Sequence, residues 1–156
     1  KESDLSNVSV CILLAAYNGG EYIGQQIESI LLQRHINWGV FVNIDKSDDN
    51  TESIVREFES RDSRIFLLKT EETFGSAGKN FYDLLKNAPI DQYDYVAFCD
   101  QDDIWETNKV ELMLNHLIQN NLLLCYSDLY VANQDCKIVK NSMQKNVFGI
   151  CHQNQF

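Results

Sequence analysis

Asp100, Asp102 and Asp103 lie within four residues, directly after the apolar run Tyr95-Val-Ala-Phe-Cys99. Carboxylates that close repel one another unless a cation or strong hydrogen bonds offset their charge. Hard oxygen ligands of this kind suit Mg2+ or Mn2+, which take one or two carboxylates and fill their shells with phosphate oxygens and water. The chemistry indicated is the holding of a phosphorylated ligand through a divalent cation. The same residues also fit a solvated turn whose acids cap the next helix. An isolated Asp-x-Asp favours the turn, and its placement at a strand end moves the balance towards a site.

Other polar clusters are weaker. Asp45-Lys-Ser-Asp-Asp-Asn50 superficially resembles a calcium loop, but an EF-hand needs glycine and glutamate where Asn50 and Arg56 stand. A capped loop that also touches a ligand fits better. Gly75-Ser-Ala-Gly78 lacks the Gly-Lys-Ser/Thr ending of a phosphate-binding loop, and no Gly-x-Gly-x-x-Gly follows the first strand. Lys79 and Asn80 open a helix, where they either face an anionic ligand or serve a turn and cap. His35, His116 and His152 are scattered and make no metal spacing. No Ser-His-Asp or Cys-His arrangement can be argued, and Cys99 reads as core rather than nucleophile.

The elements that position these residues alternate. Val8 to Leu14 is a nearly continuous apolar run, as expected of a strand buried on both faces. Asn18-Gly-Gly20 breaks it, and Ile23, Ile27, Ile30 and Leu31 then recur at helical spacing. Further strands are predicted at 40–44, 65–68 and 95–99. Helices are predicted from Thr51, through Phe81, Leu84, Leu85 and Ala88 up to Pro89, and along Val110, Met113, Leu114, Leu117 and Ile118. Leu122 to Tyr126 is strand-like, and Val131 to Val139 suggests a hairpin around Asn133-Gln-Asp135. Such alternation demands right-handed crossovers and a largely parallel sheet covered by helices. Ligands of these sheets bind beyond the carboxyl ends of the strands, where the loops 15–20, 45–50 and 100–103 converge. One domain is expected over residues 1–156, with a core at about 8–140 and an irregular end at 141–156.

Composition sets outer limits. The 156 residues are 44% hydrophobic and 23% charged, which is globular rather than disordered. A formal charge of −10 argues against nucleic acid as a partner and against adhesion to anionic lipid. Five cysteines without a Cys-x-x-Cys spacing indicate neither a disulfide framework nor a zinc site, so a reducing cytosol is expected. No apolar run approaches the ~20 residues of a membrane span. The start at Lys1, with no signal-peptide apolar region, reads as trimmed.

Four segments, in order, are similar to family 2 glycosyltransferases of the GT-A fold: Val8 to Ile23, Asp45 to Thr51, Gly75 to Phe81, and Phe98-Cys-Asp-Gln-Asp-Asp-Ile-Trp105. The last, with Cys125-Tyr-Ser-Asp-Leu129, most resembles the rhamnosyltransferase branch of bacterial polysaccharide synthesis. The resemblance implies a Rossmann-like α/β sandwich with a mostly parallel sheet, truncated at its C-terminus. It implies inverting transfer from a nucleoside-diphosphate sugar (a UDP- or dTDP-sugar) to a saccharide or lipid-linked acceptor, with Mn2+ or Mg2+ as cofactor. Ala15, Ala16 and Tyr17 would line the nucleobase pocket, with Asn18 also at the donor. Asp45 would lie beside base and ribose, and Lys79 and Asn80 near the donor. Asp102 would be the direct metal ligand, Asp100 would sit nearer the ribose and metal-bound water, and Asp103 would help orient the sugar. The cation would stabilise charge on the leaving diphosphate, and a carboxylate base would deprotonate the acceptor hydroxyl.

Three departures stand out. Ile44 replaces the first of the family's paired acids in the second loop, Lys46 replaces the glycine, and Ala15 replaces the proline before Tyr17-Asn18. In the family the acceptor half and the catalytic base lie C-terminal to the matched region, so the base is unassigned and the chain alone is expected to transfer little or no sugar. The whole enzyme is expected in the cytoplasm, with docking on the inner membrane face as an option. Two other classes stay open: a nucleotidyltransferase, which would normally place a basic phosphate loop after the first strand, and a module that binds without catalysing.

Overall fold

The structure, a computed structural model, describes residues 4–133, 137–140 and 151–152. By their internal contacts these fall into two compact units, Ser6–Lys109 and a second made of the described residues before Ser6 and after Lys109.

The larger unit contains β1 (Val10–Ala16), α1 (Ile23–Leu31), β2 (Trp38–Ile44), α2 (Thr51–Arg61), β3 (Ile65–Lys69), α3 (Ala77–Asn87) and β4 (Tyr95–Asp100). Its four strands form one parallel sheet in the order β3-β2-β1-β4. The central strands β1 and β2 are buried along their whole length, which explains their unbroken apolar sequences. The outer strands β3 and β4 alternate in burial.

Helices cover both faces. Leu84 and Ala88, at the end of α3, pack with Cys11, Leu13, Ala15 and Phe41. Strand residues of opposite parity face the other way. There Gln26 of α1 donates from Nε2 to Cys99 Sγ at 2.7 Å, and Cys99 is the register partner of Leu14. Ile23, Ile27 and Ile30 are fully buried, as their helical spacing requires. At the end of α3, Ala88 is already extended (ψ 149°), the conformation imposed by the following Pro89.

At the carboxyl edge of the sheet, β1 and β4 run past their expected ends. β1 runs to Ala16 rather than Leu14, because Ala15 and Ala16 pair with Asn43 and Ile44. β4 likewise includes Asp100, the register partner of Ala15. Small or polar residues are compatible with a strand whose backbone has a neighbour to bond, and apolarity alone ends the run too early.

The second unit begins in α4 (Lys109–Asn120), which ends at Asn121 in a left-handed conformation (φ 52°). Val110, Leu114 and Leu117 are buried, whereas Ile118, at the margin of the stripe, is exposed. β6 (Val131–Ala132) and β7 (Ile138–Lys140) pair antiparallel as the expected hairpin, with residues 134–136 outside the described residues. β5 (Leu122–Leu124) pairs antiparallel with β8 (Cys151–His152). The expected irregular stretch 141–156 also lies outside the described residues, apart from 151–152. Among the described residues no helix is long and apolar enough to cross a membrane.

Candidate functional site

The carboxyl ends of β1, β2 and β4 lie side by side, because Ala15 is in register with both Asn43 and Asp100. A pocket of about 220 Å3 opens there. It is lined by Ala15, Ala16, Tyr17, Asp45, Ser76, Ala77, Asn80, Asp100, Gln101 and Asp102. Ser76 and Ala77 form the start of α3, whose N-terminal end carries partial positive charge. A helix end of this kind favours an anionic group.

The loop after β1 is tied to both of its neighbours. Asn18, in a left-handed conformation (φ 43°), donates its N–H to Ser47 Oγ at 2.9 Å and accepts from Asp48 N with Oδ1 at 2.9 Å. Gly19 N donates to Thr51 Oγ1 at 2.8 Å, and Gly20 N to Asp49 Oδ2 at 2.8 Å. Asp49 Oδ1 also accepts from Thr51 N at 3.0 Å, so this carboxylate serves the start of α2 as well. Towards β4, the Gln101 amide bonds the Tyr17 main chain in both directions.

The loop before α3 is held differently. Asp45, only 7% exposed, accepts from Phe74 N (3.0 Å) and Gly75 N (2.9 Å) with its two oxygens. Lys46 N donates to Glu72 O at 2.9 Å. Asn80, 2% exposed, points its Nδ2 at Ala16 O and Asn43 O at 3.5 and 3.4 Å.

Charge in the site is poorly compensated. Partial desolvation pushes the Asp100 carboxyl above its ordinary range, and the charge of Asp102 pushes it further. Asp103 is also raised, chiefly by desolvation, although Lys109 pulls against it. Lys109 is itself lowered by burial, and its ammonium lies 4.7 Å from the Trp105 ring centroid. Among the described residues no three His, Cys, Asp or Glu side chains converge into a complete cation site. Two carboxylates at a pocket rim instead match a cation that shares its shell with a ligand's oxygens.

Of the residues singled out from sequence, the pocket collects Ala15, Ala16, Tyr17, Asp45, Asn80, Asp100 and Asp102. Asn18, Lys79 and Asp103 are not in its lining. Asn18 is engaged by the 47–48 loop, and Lys79 gives its backbone N–H to the cap at Ser76 Oγ (3.3 Å). Ser76, Ala77 and Gln101 line the pocket without having been singled out. Ser76 was within reach of a sequence argument, since it is the capping serine of α3. Burial pushes Cys99 strongly up, which agrees with its reading as core.

The family model described as glycosyl transferase family 2 matches residues 11–152. A dTDP-rhamnosyl transferase of Shigella flexneri, RfbG, is 42% identical over 120 residues, covering 76% of this chain and 41% of that protein. The chain spans about half the length of the curated relatives it matches. Among solved structures, S. aureus TarS 1-349 in complex with UDP-GlcNAc aligns with a TM-score of 0.65 at 22% identity, over 74% of this chain and 32% of that one. The mannosyltransferase PcManGT from Pyrobaculum calidifontis, in complex with GDP-Man and Mn2+, aligns with a TM-score of 0.59 at 21% identity, over 69% and 32%. The fold shared with these neighbours is the GT-A α/β fold.

Proposed function

The chain belongs to glycosyl transferase family 2, and we propose that its pocket binds the nucleoside-diphosphate half of a UDP- or dTDP-sugar through a divalent cation. The observation that carries this reading is the placement of Asp100 and Asp102 together at the rim of a pocket formed by three parallel strand ends. Among the described residues no salt bridge pairs either carboxylate with a base, and desolvation together with Asp102 raises Asp100. A cation offsets such charge, and the hard oxygen donors suit Mn2+ or Mg2+.

In this reading Asp102 is the direct ligand, and Asp100 serves the ribose and cation-bound water. When bound, the cation supplies Lewis acidity to the leaving diphosphate. The chain's own residues do the rest. Ala15 and Ala16 offer the base a flat, small-residue wall, and the Tyr17 ring stands exposed beside it. Asp45 fixes the loop that leads into α3, and the α3 N-terminus adds favourable potential for phosphate. The Shigella relative's name as a dTDP-rhamnosyl transferase supports a deoxythymidine donor. Inverting transfer to a saccharide or lipid-linked acceptor is proposed for a protein of the relatives' full length, with the base outside the residues assigned here.

Calorimetric titration of UDP, dTDP and GDP, each with and without Mn2+, tests the proposal. Mn2+-dependent binding of a pyrimidine diphosphate is the expected result. If none of the three binds, and Asp102→Ala changes nothing, the pocket is not a donor site. A module that binds without transferring has one observation in its favour: Ile44, 1% exposed, occupies the place of the family's first acid.

A further inference from the structure

We propose that Gln101 is a positioning residue of the donor site, and that Gly19 is a glycine in order to make room for it. The proposal rests on the donor-site reading above, because what Gln101 positions are Tyr17 and the acidic loop.

Parallel pairing between β1 and β4 ends at Ala15 and Asp100. One step further on, the Gln101 side chain takes over. Its Oε1 accepts from Tyr17 N at 2.7 Å, and its Nε2 donates to Tyr17 O at 2.9 Å. A single planar amide thus satisfies both main-chain groups of one residue, as a further rung of the ladder would. The two chain segments are held together by a side chain where their backbones have ceased to pair. Few side chains can do this. Glutamate has no donor at neutral pH, lysine and arginine have no acceptor, and asparagine is one methylene shorter.

Gly19 supplies an independent observation. Its backbone is not left-handed, since Gly75 is the positive-φ glycine among the described residues. An alanine could therefore adopt the same conformation. A Cβ built there would nevertheless collide with Gln101 Oε1 and lie 2.7 Å from Gln101 Cδ. The loop cannot easily withdraw. Gly19 N is committed to Thr51 Oγ1, and Gly19 O accepts from Tyr22 N and Ile23 N, both at 2.9 Å, where α1 begins. A side chain at Gly19 would therefore push aside the movable end of Gln101 and break its bonds to Tyr17, so the glycine serves the amide beside it rather than a positive φ. The amide thereby fixes the separation between the Tyr17 side of the pocket and the end of β4 that bears Asp100 and leads to Asp102.

The test is a double-mutant cycle on this chain, read by UDP affinity in the presence of Mn2+. Gln101→Ala and Gly19→Ala should each weaken UDP by about tenfold, and the double variant should bind no worse than Gln101→Ala alone. Wild-type affinity in Gln101→Ala, or a Gly19→Ala penalty of equal size in both backgrounds, would overturn the proposal. Amide hydrogen exchange without nucleotide gives a second reading. Gln101→Ala should speed exchange at Tyr17 while leaving Leu13 and Leu14 unchanged, and unaltered exchange at Tyr17 would refute the clamp. If the unaltered chain binds no UDP, dTDP or GDP, the donor-site reading fails, and the exchange experiment still decides whether the clamp exists.

Discussion

The Asp45 carboxylate accepts the backbone N–H of Gly75 at 2.9 Å, and with its other oxygen that of Phe74 at 3.0 Å. A buried acid after β2 thereby fixes the loop that leads into α3, and with it the Ser76–Ala77 wall of the pocket. Hydrogen bonds to a charged group are worth about 1.5–3 kcal/mol, and less where water can replace the lost partner, as at the half-buried Phe74 and the exposed Gly75. Asp45→Ala should therefore lower the melting temperature by roughly 3–10 °C and weaken nucleotide binding as well. A scan showing unchanged melting would mean that the loop does not depend on Asp45.

Asp102 is the proposed direct ligand, and it stands exposed at the pocket rim. Asp102→Ala should reduce Mn2+-dependent UDP affinity by at least the 10–100-fold typical of disturbed metal sites, with little change in melting temperature. Calorimetry and a thermal scan of the same sample check both halves.

Asp100 gives a prediction of opposite sign for stability. Its folded-state carboxyl is raised by desolvation and by Asp102, so its charged form opposes folding. The penalty is absent below the ordinary carboxylate range, grows as pH rises through it, and is complete above the raised folded value. Without metal or nucleotide, Asp100→Asn should melt higher than the unaltered chain at pH 7 and lose that advantage near pH 3. A capping aspartate would behave in the reverse way, losing stability when neutralised at pH 7.

Asp49 titrates in the other direction. Partial burial would raise it, but hydrogen bonds from the Thr51 hydroxyl and from Gly20 N and Thr51 N outweigh that and hold it below the ordinary range. Its stabilising contribution is present above the ordinary value and disappears as pH falls through the depressed one. Asp49→Ala should cost about 0.5–2 kcal/mol, as for lost helix caps. The difference from the unaltered chain should shrink below pH 4 in urea titrations.

Much of this architecture is legible in the chain itself. The apolar runs of β1 and β2 and the helical spacing of Ile23, Ile27 and Ile30 lead to the alternating parallel sheet, and the sheet places its polar loops on one edge. Two strand ends were missed because Ala15, Ala16 and Asp100 join their strands through backbone pairing, which leaves no apolar signature. The contacts that shape the pocket were hidden for a related reason. Gln101 meets Tyr17 across 84 positions, and Asp45 meets Phe74 across 29, and a side chain bonding a distant main chain leaves no periodicity. Lys79 and Asp103, which the family resemblance places near the donor, are not in the lining of this pocket.

Asp100 and Asp102 are proposed to bind a cation jointly with a diphosphate, and electron paramagnetic titration of Mn2+, with and without UDP, is the decisive measurement. Among the described residues no three acidic, histidine or cysteine side chains converge, so Asp100 and Asp102 leave room in the shell for a ligand's oxygens. The free chain should bind Mn2+ weakly and UDP should tighten it, with UDP affinity tightened by Mn2+ by the same factor, as linkage requires. Mn2+ and UDP binding that are each indifferent to the other would contradict it.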